Sequence, residues 1–243
     1  MTGAALLDVV GVTRTFGGLK AVNDVSFRME PGAVTGIIGP NGAGKTTLFN
    51  VISGHLRASA GSVSMDGRPV TGLASYDRAR LGMGRTFQIV RPIHSLSVLE
   101  NVMIGAFAAH KSRRAAEKRA IEVLDQVELS HRSSASAGGL TLADRKRLEV
   151  ARALAGNTRL LLLDEVMAGL NPTEAQRAIE MVQRLNGFGV SVLLIEHNLK
   201  VVRALASHVL VLDHGVPIAT GAPDQVLRDP KVIEAYLGAR KQR

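Results

Sequence analysis

The sequence predicts an α/β domain: a parallel sheet with alternating helices, an antiparallel β layer ahead of it, and a helical subdomain set into it. Three observations carry this. Short, largely apolar runs (Ala33–Ile38, Leu160–Leu163, Val190–Ile195 and Val209–Leu212) alternate with amphipathic stretches, as central parallel strands alternate with helices. The stretch from Leu6 to Phe27 is instead broken by Gly17-Gly18 and Asn23-Asp24, which reads as strands joined by turns. Between Ser97 and Gly156 the apolar residues recur at helical spacing.

In chain order, the strand at Ala33–Ile38 runs straight into Gly39-Pro40-Asn41-Gly42-Ala43-Gly44-Lys45-Thr46-Thr47 and then an apolar helical stretch through Ile52. Gly61 to Met65 is strand-like and ends at the turn Asp66-Gly67. Ser97 followed by Glu100 has capping-box spacing and opens a helix with Val98, Val102 and Met103. From Lys111 to Leu129 charges are dense while Ile121, Leu124 and Val127 keep a helical period, so a solvated amphipathic helix is expected. Ser133 to Gly139 reads as a small-residue linker, Arg145 to Ala155 as a helix and Thr173 to Leu185 as another. Asp229, Pro230 and Gly238 would bracket a short terminal helix as N-cap, N1 and C′. The expected organisation is one domain over residues 1–243, with 1–96 and 157–243 forming the core and its β layer and 97–156 the helical subdomain.

The chain of 243 residues is 46% hydrophobic and 21% charged, enough for a sizeable core and unlike a disordered tail. It has no cysteine, which excludes a disulfide frame, a thiolate metal site and a cysteine nucleophile, and points to a reducing compartment. Met1 to Asp8 lacks a leader pattern and no apolar run approaches the ~20 residues of a membrane helix, so a soluble chain is expected. The charge of +9 suits an anionic ligand, an acidic membrane surface or nucleic acid alike. With six Phe, two Tyr and no Trp, single-strand binding by base stacking is poorly supported. The basic residues Lys111–Arg119 and Arg145–Arg147 read first as solvated helical faces, with acidic lipid or a membrane subunit's loop as the other reading.

Gly39-x-x-x-x-Gly44-Lys45-Thr46 has the pattern of a phosphate-binding loop. Its glycines let successive backbone N–H groups turn toward phosphate oxygens, and the following helix N-terminus adds a favourable field. Lys45 would reach the β and γ phosphates and Thr46 would ligate Mg²⁺. Such a site needs a second acid at a strand end, and Leu160–Leu163 followed by Asp164 supplies it. Glu165 would then orient or deprotonate the attacking water. Taken alone, Asp-Glu after a strand is an ordinary polar loop start; coupled to the loop at Lys45, it specifies a P-loop nucleoside triphosphatase.

The remaining motifs narrow this further. Leu140 to Leu154, just ahead of the Asp164 strand, resembles the signature segment of ATP-binding cassette (ABC) ATPases, and the resemblance covers essentially the whole chain. Gln88, in Gly84-Arg85-Thr86-Phe87-Gln88, resembles that family's Q-loop, Ala168-Gly169-Leu170-Asn171-Pro172 its D-loop, and His197 its switch histidine. Phe16 matches its adenine-stacking aromatic. Within the family the chain is similar to ATPase subunits of branched-chain amino acid importers, through Phe16-Gly17-Gly18-Leu19-Lys20-Ala21-Val22-Asn23, Arg85–Gln88, the D-loop, and Pro230–Gly238 with Ala235-Tyr236-Leu237.

The resemblance implies a RecA-like core that binds ATP and Mg²⁺, with Gln88 bridging metal and water and His197 holding the γ-phosphate. It implies a sandwich of two cassettes, as homodimer or heterodimer with a paralogue, in which Thr141 and Ala143 of one face the γ-phosphate held by Lys45 of the other. It also implies two membrane permease subunits, contacted beside Gln88 and around Arg91 to Leu99, a periplasmic or extracellular binding protein, and a place on the cytoplasmic face of the inner membrane. One departure stands out. Where the family commonly has Leu-Ser-Gly-Gly-Gln, this chain has Leu140-Thr141-Leu142-Ala143-Asp144, losing both glycines and setting an acid where an amide is usual. Thr141 keeps a hydroxyl and, with Asp144, capping-box spacing, so the helix start can survive. The alternatives are a cassette ATPase acting on nucleic acid or ribosomes, or the ATPase of an efflux or lipid transporter.

Overall fold

The glycine pair at 17–18 does what its position demands. In the computed structural model, which describes residues 5–87 and 92–238, it turns β1 (Leu7–Phe16) into β2 (Leu19–Met29), antiparallel with Leu7 opposite Met29 and Phe16 opposite Leu19. Leu7, Val9, Val12, Val22, Val25 and Met29 are buried. β3 (Val34–Ile38) is buried at every position and leads through the glycine loop into α1 (Lys45–Ile52), which buries Leu48, Phe49, Val51 and Ile52. β4 (Ala60–Met65) pairs antiparallel with β1, and β5 (Arg68–Pro69) with β4, giving a layer in the order β2-β1-β4-β5. α2 (Ser75–Arg80) follows.

Its Arg78 is 1% exposed, an arginine in a core. Nε donates to Leu73 O, Nη1 to the Val51 and Ile52 carbonyls that end α1, and Nη2 to Thr71 O. A helix end buried in this way needs donors for its last carbonyls, and the guanidinium fork supplies them.

The described chain divides into two compact units, 79–190 and the remainder. The first contains β6 (Met83–Arg85), α3 (Val98–Ala106), α4 (Arg113–Gln126), α5 (Leu142–Leu154), β7 (Leu160–Asp164) and α6 (Pro172–Gly187). β6 and β7 pair in parallel. Ser97 and Glu100 form the expected capping box on α3, and Asn171 with Glu174 forms a second on α6, with Pro172 at its first turn. In α4 the stripe that is buried is Ala116, Ala120, Val123 and Leu124, while Ile121 is 52% exposed. Leu124 and Val127 of the expected period are buried and only Ile121 departs from it; the rest of the inner face is filled by alanines, which carry little pattern signal. The segment 133–139 is more than a linker: Ser97 and Ser136 form an antiparallel bridge, and Ala137–Gly139 makes a 3₁₀ turn.

The chain then re-enters the other unit with β8 (Ser191–Ile195), α7 (Leu199–Leu205), β9 (His208–Asp213), β10 (Val216–Gly221), α8 (Pro223–Val226) and α9 (Pro230–Gly238). β3 lies between β8 and β9, parallel to both, and β10 pairs antiparallel with β9. β10 has no counterpart among the expected strands: Pro217 argues against a strand interior, and it is tolerated where the strand pairs on one side with a register irregularity after it. Among the described residues no helix is long and apolar enough to cross a membrane. Gln88 and Arg91 lie outside the described residues.

Candidate functional site

The loop between β3 and α1 is shaped by backbone approaches that exclude a side chain. At Gly39 (φ 147°) a Cβ would run into the Leu212 carbonyl oxygen, and at Gly44 (φ 96°) into that of Ala21. Gly44 is also the N-cap of α1, and having no side chain it offers the helix no capping acceptor; the first turn holds no acid. By contrast Ser97, Ser112, Thr141, Asn171 and Asn198 cap α3, α4, α5, α6 and α7 with side-chain oxygens. The helix that begins at Lys45-Thr46-Thr47 thus presents its first-turn N–H groups and its positive end without a competing side-chain oxygen, which is the requirement of an anion site. Lys45 is 8% exposed, and its Nζ donates to Gly39 O and Pro40 O, both at 2.8 Å. Its charge is thereby held inside the loop. Asn41, Gly42 and Thr46 are exposed, Pro40 and Thr47 are half-buried and Ala43 is buried.

Pro40 to Ala43 also line a pocket of about 560 Å³ together with Asp213, His214 and, from α9, Lys231 and Glu234. α9 starts on Pro230, with Asp229 Oδ1 accepting the Lys231 N–H at 2.9 Å. Burial pushes the Tyr236 hydroxyl of this helix above its usual pKa, while the Gly39 backbone N–H pulls the other way. In the same unit Phe16 ends β1 with its ring 43% exposed and the Arg14 guanidinium 4.6 Å from its centroid. An exposed ring fixed in this manner can stack on a base. His197 is exposed two residues beyond β8, just before the Asn198 cap of α7.

The other unit places the acids. Asp164, last residue of β7, is 5% exposed, and Arg85 Nη2 lies 3.4 Å from its Oδ2. Asp164 N donates to Thr86 Oγ1 at 3.2 Å, and Thr86 N donates to Leu162 O, so the β6–β7 ladder orients the carboxylate. Burial pulls the Arg85 guanidinium below its usual pKa and the Asp164 charge partly restores it. Glu165 is half-buried with a left-handed φ of 49°, and its carbonyl accepts Ala168 N–H and Lys146 Nζ, both at 3.1 Å. Thr141 caps α5, its Oγ1 accepting the Asp144 N–H at 3.2 Å, so the helix start survives without the two glycines. Leu142 is exposed beside Gly169, and Ala143 is half-buried.

Three residues of this unit make contacts that the sequence did not announce. Arg85 sits on Asp164, and α5 buries Lys146 (8% exposed) and Glu149 (9% exposed) in an otherwise apolar face. Glu149 Oε1 accepts the Phe87 N–H at 2.8 Å. Burial raises the Glu149 pKa, against the pull of that bond and of nearby Arg152 and Lys146. The solvated-face reading of Arg145–Arg147 therefore fails at Lys146. A signal was present: 146, 149, 150 and 153 lie on one helical line with Val150 and Ala153.

A family model described as "ABC transporter" matches residues 22–168, and one described as "Branched-chain amino acid ATP-binding cassette transporter" matches residues 216–241. The chain belongs to the ABC transporter family. Among relatives of this cassette, the high-affinity branched-chain amino acid transport ATP-binding protein BraF of Pseudomonas aeruginosa is 39% identical over 96% of this chain and 98% of its own. A solved ATP-binding cassette of an ABC transporter in its ADP conformation superposes with a TM-score of 0.88, at 34% identity over 96% of this chain and 99% of that one. A dimeric cassette in a post-hydrolysis state, bound to ADP and phosphate, superposes with a TM-score of 0.78 at 25% identity, over 89% of this chain and 98% of that one. As a cassette of this family, the chain binds and hydrolyses ATP. The second family match spans β10, α8 and α9, the segment that brings Lys231, Glu234 and Tyr236 to the loop at Gly39–Ala43.

Proposed function

We propose that this cassette is the ATP-hydrolysing subunit of an importer of branched-chain or other hydrophobic amino acids. It works on the cytoplasmic face of the inner membrane, through two permease subunits that receive substrate from a periplasmic or extracellular binding protein. The observation that carries this reading is the match of residues 216–241 to the branched-chain cassette model, together with Lys231, Glu234 and Ala235 of that segment lining one pocket with Pro40–Ala43 of the phosphate loop.

In this reading Gly39, Pro40, Asn41, Gly42, Ala43, Gly44, Lys45, Thr46 and Thr47 wrap the phosphates with backbone N–H groups, and the Lys45 ammonium neutralises the β and γ oxygens. Phe16 stacks on adenine. The oxygen donors Thr46 Oγ1 and the Asp164 carboxylate are of the kind a hard divalent cation takes, and with Gln88 they would hold Mg²⁺. When bound, that ion supplies charge neutralisation across the β and γ phosphates. Glu165 orients the attacking water or accepts its proton as the water oxygen bonds to γ-phosphorus; the bond from γ-phosphorus to the β–γ bridging oxygen breaks, leaving ADP and phosphate. His197 donates a hydrogen bond to the γ-phosphate. Two cassettes, identical or paralogous, enclose two ATP molecules, each between the phosphate loop of one and Thr141 and Ala143 of the other. Closing on ATP and opening after hydrolysis then moves the permeases.

Affinity purification of the chain from detergent-solubilised membranes of its host tests this assembly. Recovery of two multi-span membrane proteins supports it, and a second cassette among them identifies a heterodimer. Recovery of ribosomes or nucleic acid in their place overturns it.

A further inference from the structure

A lysine is almost never fully buried unless it is paired, yet Lys146 is 8% exposed on the inner face of α5. One turn on, Glu149 is equally buried, so two opposite charges are set in an apolar helix face where two aliphatic side chains would pack at lower desolvation cost. Their partners explain the choice. Lys146 Nζ lies 3.1 Å from the Glu165 carbonyl oxygen, and Glu149 Oε1 accepts the Phe87 N–H at 2.8 Å. The first of these two backbone groups belongs to a residue in an unfavourable conformation. Glu165 has φ 49° without being glycine, a state that costs about 1–3 kcal/mol and persists only where surrounding contacts over-determine it. The peptide is pinned by the Ala168 N–H turn bond and by the Lys146 ammonium, both on the same carbonyl. The direction of the Glu165 Cα–Cβ bond follows from that peptide.

We propose that Lys146 is a positioning residue for Glu165: through the Glu165 carbonyl it locks the left-handed peptide at the end of β7 and ties it to α5, the helix capped by Thr141. The inference rests on the proposed role of Glu165 in hydrolysis. It makes α5 and the Glu165 corner one mechanical piece, so a displacement of the helix start at Thr141 is felt at the carboxylate that faces the attacking water.

The test uses the purified full-length chain, with ATP and Mg²⁺ for turnover and a fluorescent ATP analogue for binding. Hydrogen bonds to charged groups are worth enough that Lys146→Met is expected to lower kcat about tenfold or more, with nucleotide Kd within about twofold of wild type. Lys146→Arg, which restores a cationic donor, is expected to recover most of the rate. Hydrogen exchange in the segment 165–168 should accelerate in Lys146→Met and not in Lys146→Arg. Lys146→Gln, whose amide falls short of the carbonyl, serves in place of the methionine variant should that one not fold. An unchanged kcat, equal losses in kcat and binding, or no rescue by arginine overturns the proposal. Glu165→Gln separates the two readings. Loss of turnover in Glu165→Gln with normal turnover in Lys146→Met refutes the positioning role alone, whereas normal turnover in Glu165→Gln refutes the role of Glu165 and this inference with it.

Discussion

Replacing Arg78 by methionine should cost this cassette a large part of its stability while leaving its phosphate loop chemically intact. The guanidinium serves four carbonyls: Val51 and Ile52 at the end of α1, and Thr71 and Leu73 in the following turn. A buried carbonyl that loses its donor costs about 1–3 kcal/mol. Val51 O keeps the Gly54 N–H at 3.2 Å, so three such groups are orphaned, and with partial relaxation, less the desolvation relieved when the charge leaves, they come to about 4 kcal/mol. That relief is real but incomplete, since burial lowers the Arg78 pKa only to about 10 and the group is still charged at neutral pH. Against a total stability of about 5–15 kcal/mol the loss is severe. For a chain of this size each kcal/mol moves Tm by roughly 2–4 °C, so calorimetry should find a fall of roughly 8–16 °C. Arg78→Lys, which supplies a compact ammonium without the planar fork, should recover only part of it. A melting point within about 3 °C of wild type would refute the reasoning, because it would mean the end of α1 needs no such donors.

Further outcomes follow from other groups. Phe16→Ala should weaken ATP binding about tenfold while Phe16→Tyr binds normally, since stacking needs only a ring face; equal affinity in a fluorescence titration removes Phe16 from the site. Thr141→Ala loses the α5 cap, about 1 kcal/mol and a few degrees of Tm. In the assembled complex it should also slow hydrolysis, and hydrolysis at the wild-type rate ends the signature role. Glu149 has a folded pKa raised by burial. Its stabilising contribution is therefore fully present below its unfolded value and lost as pH rises through the folded one. Glu149→Gln does not titrate, so the Tm difference, variant minus wild type, should become more positive as pH rises from about 4.5 and level off above the folded pKa. A pH-independent difference contradicts the shift.

What the sequence made legible was whatever depends on local pattern. Largely apolar runs marked β3, β7 and β8; the glycines around Lys45 marked the loop; and Ser97 with Glu100 marked the helix start that the structure places at α3. Even the altered segment Leu140–Asp144 kept its helix start, because capping depends on the Thr141 hydroxyl and not on the glycines. Long-range satisfaction of polar groups was hidden. Arg78 looks like any surface arginine until the end of α1 comes to it, and Lys146 sits in a run of basic residues whose neighbours are partly exposed. The same blindness covered Arg85, whose partner Asp164 lies 79 residues away in sequence. The antiparallel β10 was obscured by Pro217, a residue that signals against strands except where one side is left unpaired.

The central claim is that hydrolysis at the phosphate loop of this chain drives amino acid import. It is tested most directly by uptake of radiolabelled leucine into vesicles reconstituted with the chain, the membrane subunits recovered with it and their binding protein, with ATP supplied on the cassette side. Leucine should accumulate only with ATP and with wild-type chain, and Lys45→Ala and Glu165→Gln should each abolish accumulation. Uptake that persists with either variant, or an assembly that hydrolyses ATP and moves no amino acid, would contradict the account.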